Sequence, residues 1–275
     1  MPVFFAGSIG APGVLLEISL AIVAFSMAAS AVYIFNDYRD IAADREHPLK
    51  RERPLASGAV TISTAAVLTA ALVVAGGGLM AWLSGPALGV LGIYLGLNVC
   101  YSLWLKHVAI IDISIISLGF VLRLFVGSIV AGVPLSSWIV IMTFLLALFI
   151  ALAKRRDDMV LYLETGKKAR PVIDGYNLQM IDNAMAIMAS VVIVAYLLYT
   201  TSEDVTERLQ SDYVYLTTLF VIIGIMRYLQ LTLVFKQTGS PTRIVSTGTA
   251  CSSRSPRPPG RSSSSRRTLA RRARC

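Results

Sequence analysis

The chain has 275 residues, 55% of them hydrophobic and only 15% charged, with a mean hydropathy of +0.67. Soluble domains carry about 25% charged residues, so this balance excludes an ordinary soluble fold. The apolar stretches are long and lack period-2 alternation, which leaves membrane helices rather than a barrel. The net charge of +9 is also concentrated: residues 251–275 hold eight Arg and no acid, and without them 17 basic residues face 16 acidic ones, a net of +1. The body therefore carries no nucleic-acid signature.

A bilayer core needs about 20 apolar residues per helix. In chain order, the sequence predicts spans over 14–35, 61–83, 87–105, 109–131, 135–153, 180–200 and 213–234. Residues 1–12 are too short to cross and read as the end of an earlier helix. The basic loops are 36–60, 106–108 and 154–179, and the segment after 235 opens with Lys236 and Arg243. The opposite connections, 84–86, 132–134 and 201–212, hold one basic residue, Arg208, against Glu203, Asp204, Glu207 and Asp212. This alternation predicts that the basic loops face the cytoplasm of a multi-pass cell-membrane protein. Gly85, Gly89, Gly92 and Gly96 form small-xxx-small pairs and predict close helix packing. Residues 246–275, rich in Ser, Arg and Pro, cannot bury a core and predict a disordered tail. Cys100, Cys251 and Cys275 form no disulfide or metal pattern, and His47 and His107 stand alone as surface or interface residues.

The strongest chemical signal is the stretch from Asn36 to Asp44. On a helix, Asp40 and Asp44 follow Asp37 by about 300° and about 700°, so three carboxylates share one face. They repel one another unless a cation sits among them. Mg²⁺ takes oxygen ligands and keeps phosphate oxygens in its shell, so Asp37, Asp40 and Asp44, with Asn36 as a neutral oxygen, read as a seat for Mg²⁺ bound to a diphosphate. The plainer alternative is a solvated, acid-rich helix end. Lys50 and Arg53 follow directly and suit the surplus negative charge of a metal-bound diphosphate. A second cluster runs Lys154, Arg155, Arg156, Asp157, Asp158; it suits phosphate binding, or is a basic stop at a span end. Arg170 and Tyr176 lie in the same loop and are placed to fold over the site. Tyr101 and Lys106 either anchor the interface or reach a phosphate oxygen. Arg123 and Arg227 lie inside spans, where charge points to a cavity or a partner. Arg123 shares a helix face with Asp112 about 16 Å away, too far to pair but near enough to line one polar cavity.

The acid motif, followed by Arg53-Pro54-Leu55-Ala56-Ser57-Gly58, resembles the UbiA superfamily of intramembrane prenyltransferases over roughly residues 1–245. The resemblance implies an all-α bundle of about nine helices, seven to eight of them present here, around a central cavity open to the cytoplasm. Aromatic prenyltransferases carry a second Asp-x-x-x-Asp motif; here Asp157 and Asp158 are adjacent and position 161 is Leu. The basic version is similar to the decaprenyl-phosphate phosphoribosyltransferase branch. That branch implies Mg²⁺-dependent transfer of 5-phosphoribose from phosphoribosyl diphosphate to a polyprenyl phosphate, for a lipid-linked envelope precursor. Asp37, Asp40, Asp44, Lys50 and Arg53 would carry the chemistry. Asn36, Tyr101, Lys106, Arg123, Lys154, Arg155, Arg156, Asp158 and Arg170 would bind substrate. The alternatives are prenyl transfer to an aromatic or glycerol-phosphate acceptor, and a non-enzymatic transporter or scaffold. Against the family pattern, the sequence leads one to expect a truncated first helix and a frame-shifted end.

Overall fold

In a computed structural model, residues 13–46, 50–166, 171–209, 211 and 213–234 are described. The expectations for the first helix, His47, Arg170 and the tail lie outside these residues. The described residues form helices joined by turns and short loops, with no strand among them: α1 (Val14–Glu46), α2 (Ile62–Leu83), α3 (Gly85–Leu103), α4 (Ile111–Ala131), α5 (Ser137–Thr165), α6 (Leu178–Thr200), α7 (Glu203–Leu209) and α8 (Thr218–Leu229). Among them, seven segments are long and apolar enough to cross a membrane: α1 to α6, with α5 counted to Glu164, and the run Val214–Val234. These match the seven predicted spans.

Two helices overrun their predicted spans, α1 beyond residue 35 and α5 beyond residue 153. The sequence explains both. No Gly or Pro occurs between Gly13 and Pro48, or between Pro134 and Gly166, so nothing breaks the backbone where the apolar run ends. Gly166, in the left-handed region, ends α5, as Gly132 ends α4. Elsewhere polar caps set the boundaries. Thr61 accepts from Thr64 N to start α2, and Asn177 accepts from Met180 N to start α6. Ser84 ends α2 and caps α3, which makes these two a tight antiparallel pair.

Two apolar cores share α4. One joins Ala21, Ala24, Phe25 and Ala28 of α1 to Met80 of α2, Leu91 and Tyr94 of α3 and Val126 of α4. The other joins Ile113 of α4 to Phe149 and Leu152 of α5, Ile181 and Met185 of α6 and Tyr228 of α8. Large apolar side chains such as Val67, Val74, Trp82 and Phe220 are exposed, the pattern of a surface solvated by hydrocarbon.

The closest helix approach is not where the glycine stripe of α3 predicts it. Among the described residues, nothing lies within 4 Å of a Cβ built at Gly85, Gly89, Gly92 or Gly96. The inward face of α3 is Ala87, Leu91 and Tyr94, two residues and about 200° away from the stripe. The tight contact is instead α1 on α2. Ala21, Ala24 and Ala28 form a smooth stripe, and a Cβ at Gly76 would stand 2.8 Å from the Ala24 carbonyl oxygen. Gly76→Val should therefore destabilise the chain in detergent by about 1–3 kcal/mol through overpacking, while Gly89→Val stays near neutral. Thermal unfolding of the two variants side by side checks this.

Candidate active site

The ends of α1, α3 and α5 meet the starts of α4 and α6 at one end of the bundle. Because α1 continues past its apolar run, Asp37, Asp40 and Asp44 sit on a helix, and their spacing places them on one face. Each is met by a cation from elsewhere. Arg53 donates from a single nitrogen to Asp37 Oδ1 at 2.7 Å and to Asp44 Oδ2 at 2.9 Å. Lys106, on the short turn Leu105–His107 after α3, donates to Asp40 Oδ1. Asn36 donates to Asp40 Oδ2 at 3.1 Å and accepts from Ser102 of α3 at 3.3 Å. Lys50 lies within electrostatic reach of Asp37. Three carboxylates thus stand against Arg53, Lys106 and Lys50.

The loop that delivers Arg53 is fixed to α1. Arg45 Nε donates to the Ala56 carbonyl at 3.1 Å, and Leu55 and Ala56 are buried. Gly58, at φ +80°, makes the turn that sends the chain into α2. The loop backbone is anchored while the Arg53 side chain stays 37% exposed.

The donor set fits a hard divalent cation. Asp37 Oδ1 and Asp44 Oδ2 converge on one positively charged nitrogen, so Arg53 stands where a cation would be held among oxygen donors. Asp40 is drawn aside by Lys106. Among the described residues no three acidic, Cys or His side chains converge as a ready metal cage.

The second cluster is engaged with the protein itself. Arg155, on α5 and 2% exposed, donates through Nε to fully buried Asp112 of α4 and through a terminal nitrogen to Asp158 at 3.2 Å. Tyr176 donates to the other oxygen of Asp112 at 2.6 Å and accepts from Ile110 N at 2.7 Å. Burial, with the Asp112 hydrogen bond adding to it, pushes the Tyr176 hydroxyl above the ordinary tyrosine value, so it remains a donor at neutral pH. Gly175 packs so tightly on Ala109 that a Cβ would stand 2.7 Å away. The loop after α5 is thereby seated on the α3–α4 connection that carries Lys106. Arg156 donates to Asp182 of α6 at 2.7 Å and to the Thr232 carbonyl at 2.8 Å, tying α5, α6 and the last span together. Lys154 is exposed. Half-buried Tyr101 lies within electrostatic reach of Arg155.

Arg123 and Asp112 do not line one cavity. Asp112 is consumed by Arg155 and Tyr176. Arg123 lies near the rings of Phe25, Tyr94 and Phe120, with its guanidinium carbon 5.0–6.0 Å from their centroids. It opens on a cleft of about 390 Å³ between α1 and α4, whose α1 wall runs from Ile18 to Tyr33, one turn before Asp37. Arg227 donates to Gln230.

Sequence reasoning missed Ser102, Asp182 and the partner of Asp112. An acid inside a span signals a buried partner, but helix-face geometry relates residues of one helix only, and these partners come from others. Removing Asp112 leaves Arg155 buried without its main counter-charge. Asp112→Ala should cost about 3–5 kcal/mol of stability and Tyr176→Phe about 1–2 kcal/mol, measured by unfolding of the detergent-solubilised chain.

The UbiA prenyltransferase family matches residues 1–241. The chain is 35% identical over 195 residues to a Mycolicibacterium smegmatis protein named decaprenyl-phosphate phosphoribosyltransferase, covering 71% of this chain and 61% of that one. It is 36% identical over 187 residues to a Corynebacterium glutamicum protein of the same name, covering 67% and 56%. The chain spans about three fifths of the length of these curated relatives. Among solved structures, a UbiA homolog from Archaeoglobus fulgidus, described as bound to GPP and Mg²⁺, superposes with a TM-score of 0.69 at 17% identity, covering 90% of this chain and 88% of that one. At that identity the likeness speaks for the fold.

Proposed function

The chain belongs to the UbiA prenyltransferase family, and from that premise we propose that it transfers 5-phosphoribose from phosphoribosyl diphosphate to a polyprenyl phosphate, releasing pyrophosphate. The observation that carries the reading is the single Arg53 nitrogen held between Asp37 and Asp44: a cation-binding point made of carboxylates, beside basic side chains able to meet phosphate. The relatives named decaprenyl-phosphate phosphoribosyltransferase support the choice of donor and acceptor.

In the reaction, the bond from ribose C1 to the diphosphate oxygen breaks, and a bond from C1 to an acceptor phosphate oxygen forms. The departing electron pair leaves with pyrophosphate. Asp37, Asp40 and Asp44, with Asn36 as a neutral oxygen, would hold Mg²⁺, which when bound would supply positive charge to neutralise that leaving group. Lys50, Arg53 and Lys106 bind diphosphate oxygens, and exposed Lys154 is the cation of the second cluster left to meet the sugar phosphate. Arg155, Arg156 and Asp158 act one step back, by holding α4, α5 and α6 in register; half-buried Tyr101 lies within electrostatic reach of Arg155. The acceptor is already an anion at neutral pH, so no general base is required. The apolar cleft along α1, with Arg123 in its wall, suits the polyprenyl chain. The site faces the cytoplasm of the cell membrane, as the basic loops predict.

Membranes containing the chain, given labelled phosphoribosyl diphosphate, Mg²⁺ and polyprenyl phosphate, should move label into the lipid phase. Asp37→Ala should lower that rate by about 100-fold or more, since it removes charge stabilisation at the leaving group. Absence of label transfer, with product formed from a prenyl diphosphate instead, would assign prenyl transfer to the same seat.

A further inference from the structure

We propose that Arg53 and Lys106 keep the carboxylate seat closed to a free divalent cation and open it only to a cation that arrives with a diphosphate. The inference rests on the diphosphate reading of the site and adds a rule for what that site accepts.

All three carboxylates are already paired. Arg53 spans Asp37 and Asp44, and Lys106 holds Asp40. Asp44 and Lys106 are the more enclosed members, with side chains 5% and 15% exposed. A bare cation entering this seat must expel positive charge from partners it shares with little water. The expelled Lys106 then loses its carboxylate in a poorly hydrated place, which offsets much of what the cation gains. A diphosphate changes this balance. It brings negative oxygens that Arg53 and Lys106 can take up as the carboxylates turn to the cation, so no charge is left unpaired. Arg suits such a transfer because its fork binds carboxylate and phosphate alike.

The geometry permits the exchange without moving backbone. Arg45 and buried Leu55 and Ala56 anchor the loop, whereas the Arg53 side chain is over a third exposed and has four rotatable bonds. Lys106 projects from a connection that Tyr176 and Gly175 hold in place. Both cations change partner by rotation of side chains. Cation and diphosphate affinities are therefore coupled, each raising the other by the same factor.

Equilibrium dialysis of the purified full chain in detergent, with Mn²⁺ as probe and pyrophosphate present or absent, tests this. Wild type should retain Mn²⁺ at least about tenfold more tightly with pyrophosphate than without it. Arg53→Gln should bind Mn²⁺ alone about tenfold more tightly than wild type, with the pyrophosphate effect diminished. Lys106→Gln, which frees Asp40, should shift the same way and serves if Arg53→Gln does not fold. Unchanged or weaker Mn²⁺ binding in both variants, with pyrophosphate-dependent binding intact in wild type, overturns the exchange and leaves the diphosphate seat standing. Failure of wild type to bind Mn²⁺ even with pyrophosphate overturns both.

Discussion

Like charges stacked on one face of a single helix repel, and the end of the bundle is organised around that repulsion in α1. Asp37, Asp40 and Asp44 draw Arg53 from the following loop and Lys106 from the far side of α3. Those three ion pairs join the loop and the α3–α4 connection to α1. Neither segment has an apolar core large enough to fix it alone. The loop is held by Arg45 and two buried side chains, the connection by Tyr176 and the Gly175 contact.

The two polar clusters at this end solve opposite problems. The first is accessible, with the side chains of Arg53 and Asp37 about a third exposed. The second is sealed. Asp112 and Arg155 are almost without solvent contact, and the cost of burying them is met by Tyr176 and Asp158. A sealed pair is a poor ligand site and a good strut. It fixes the angle between α4 and α5, and through Tyr176 it fixes the connection bearing Lys106.

Much of this was legible in the sequence, for identifiable reasons. The seven spans follow from apolar length, and the acid face follows from helical spacing, because both depend on residues close in the chain. Sequence proximity set Arg53 beside the acids but suggested only a diphosphate ligand; its pairing with Asp37 and Asp44 shows in the structure alone. What stayed hidden depends on other helices. Arg123 shares a helix face with Asp112, yet the carboxylate pairs with Arg155 of a different helix. The α3 glycines suggested close packing, but the deciding fact is which face α3 turns inward. Hydropathy also ended α1 at residue 35, because it registers oil-compatible side chains and not hydrogen-bonded backbone. The helix ignores that boundary.

That overrun has a consequence of its own. Thirty-three helical residues extend about 50 Å, whereas the hydrocarbon layer is about 30 Å thick. Gly76 locks α1 against its neighbour deep in the bundle, so the surplus length is not free to slide or tilt independently. α1 therefore acts as a depth gauge. It carries its acidic face beyond a hydrocarbon-length stretch of helix, and the reaction proposed above needs such a place, because its sugar donor is water-soluble while its acceptor phosphate is tethered to a hydrocarbon chain.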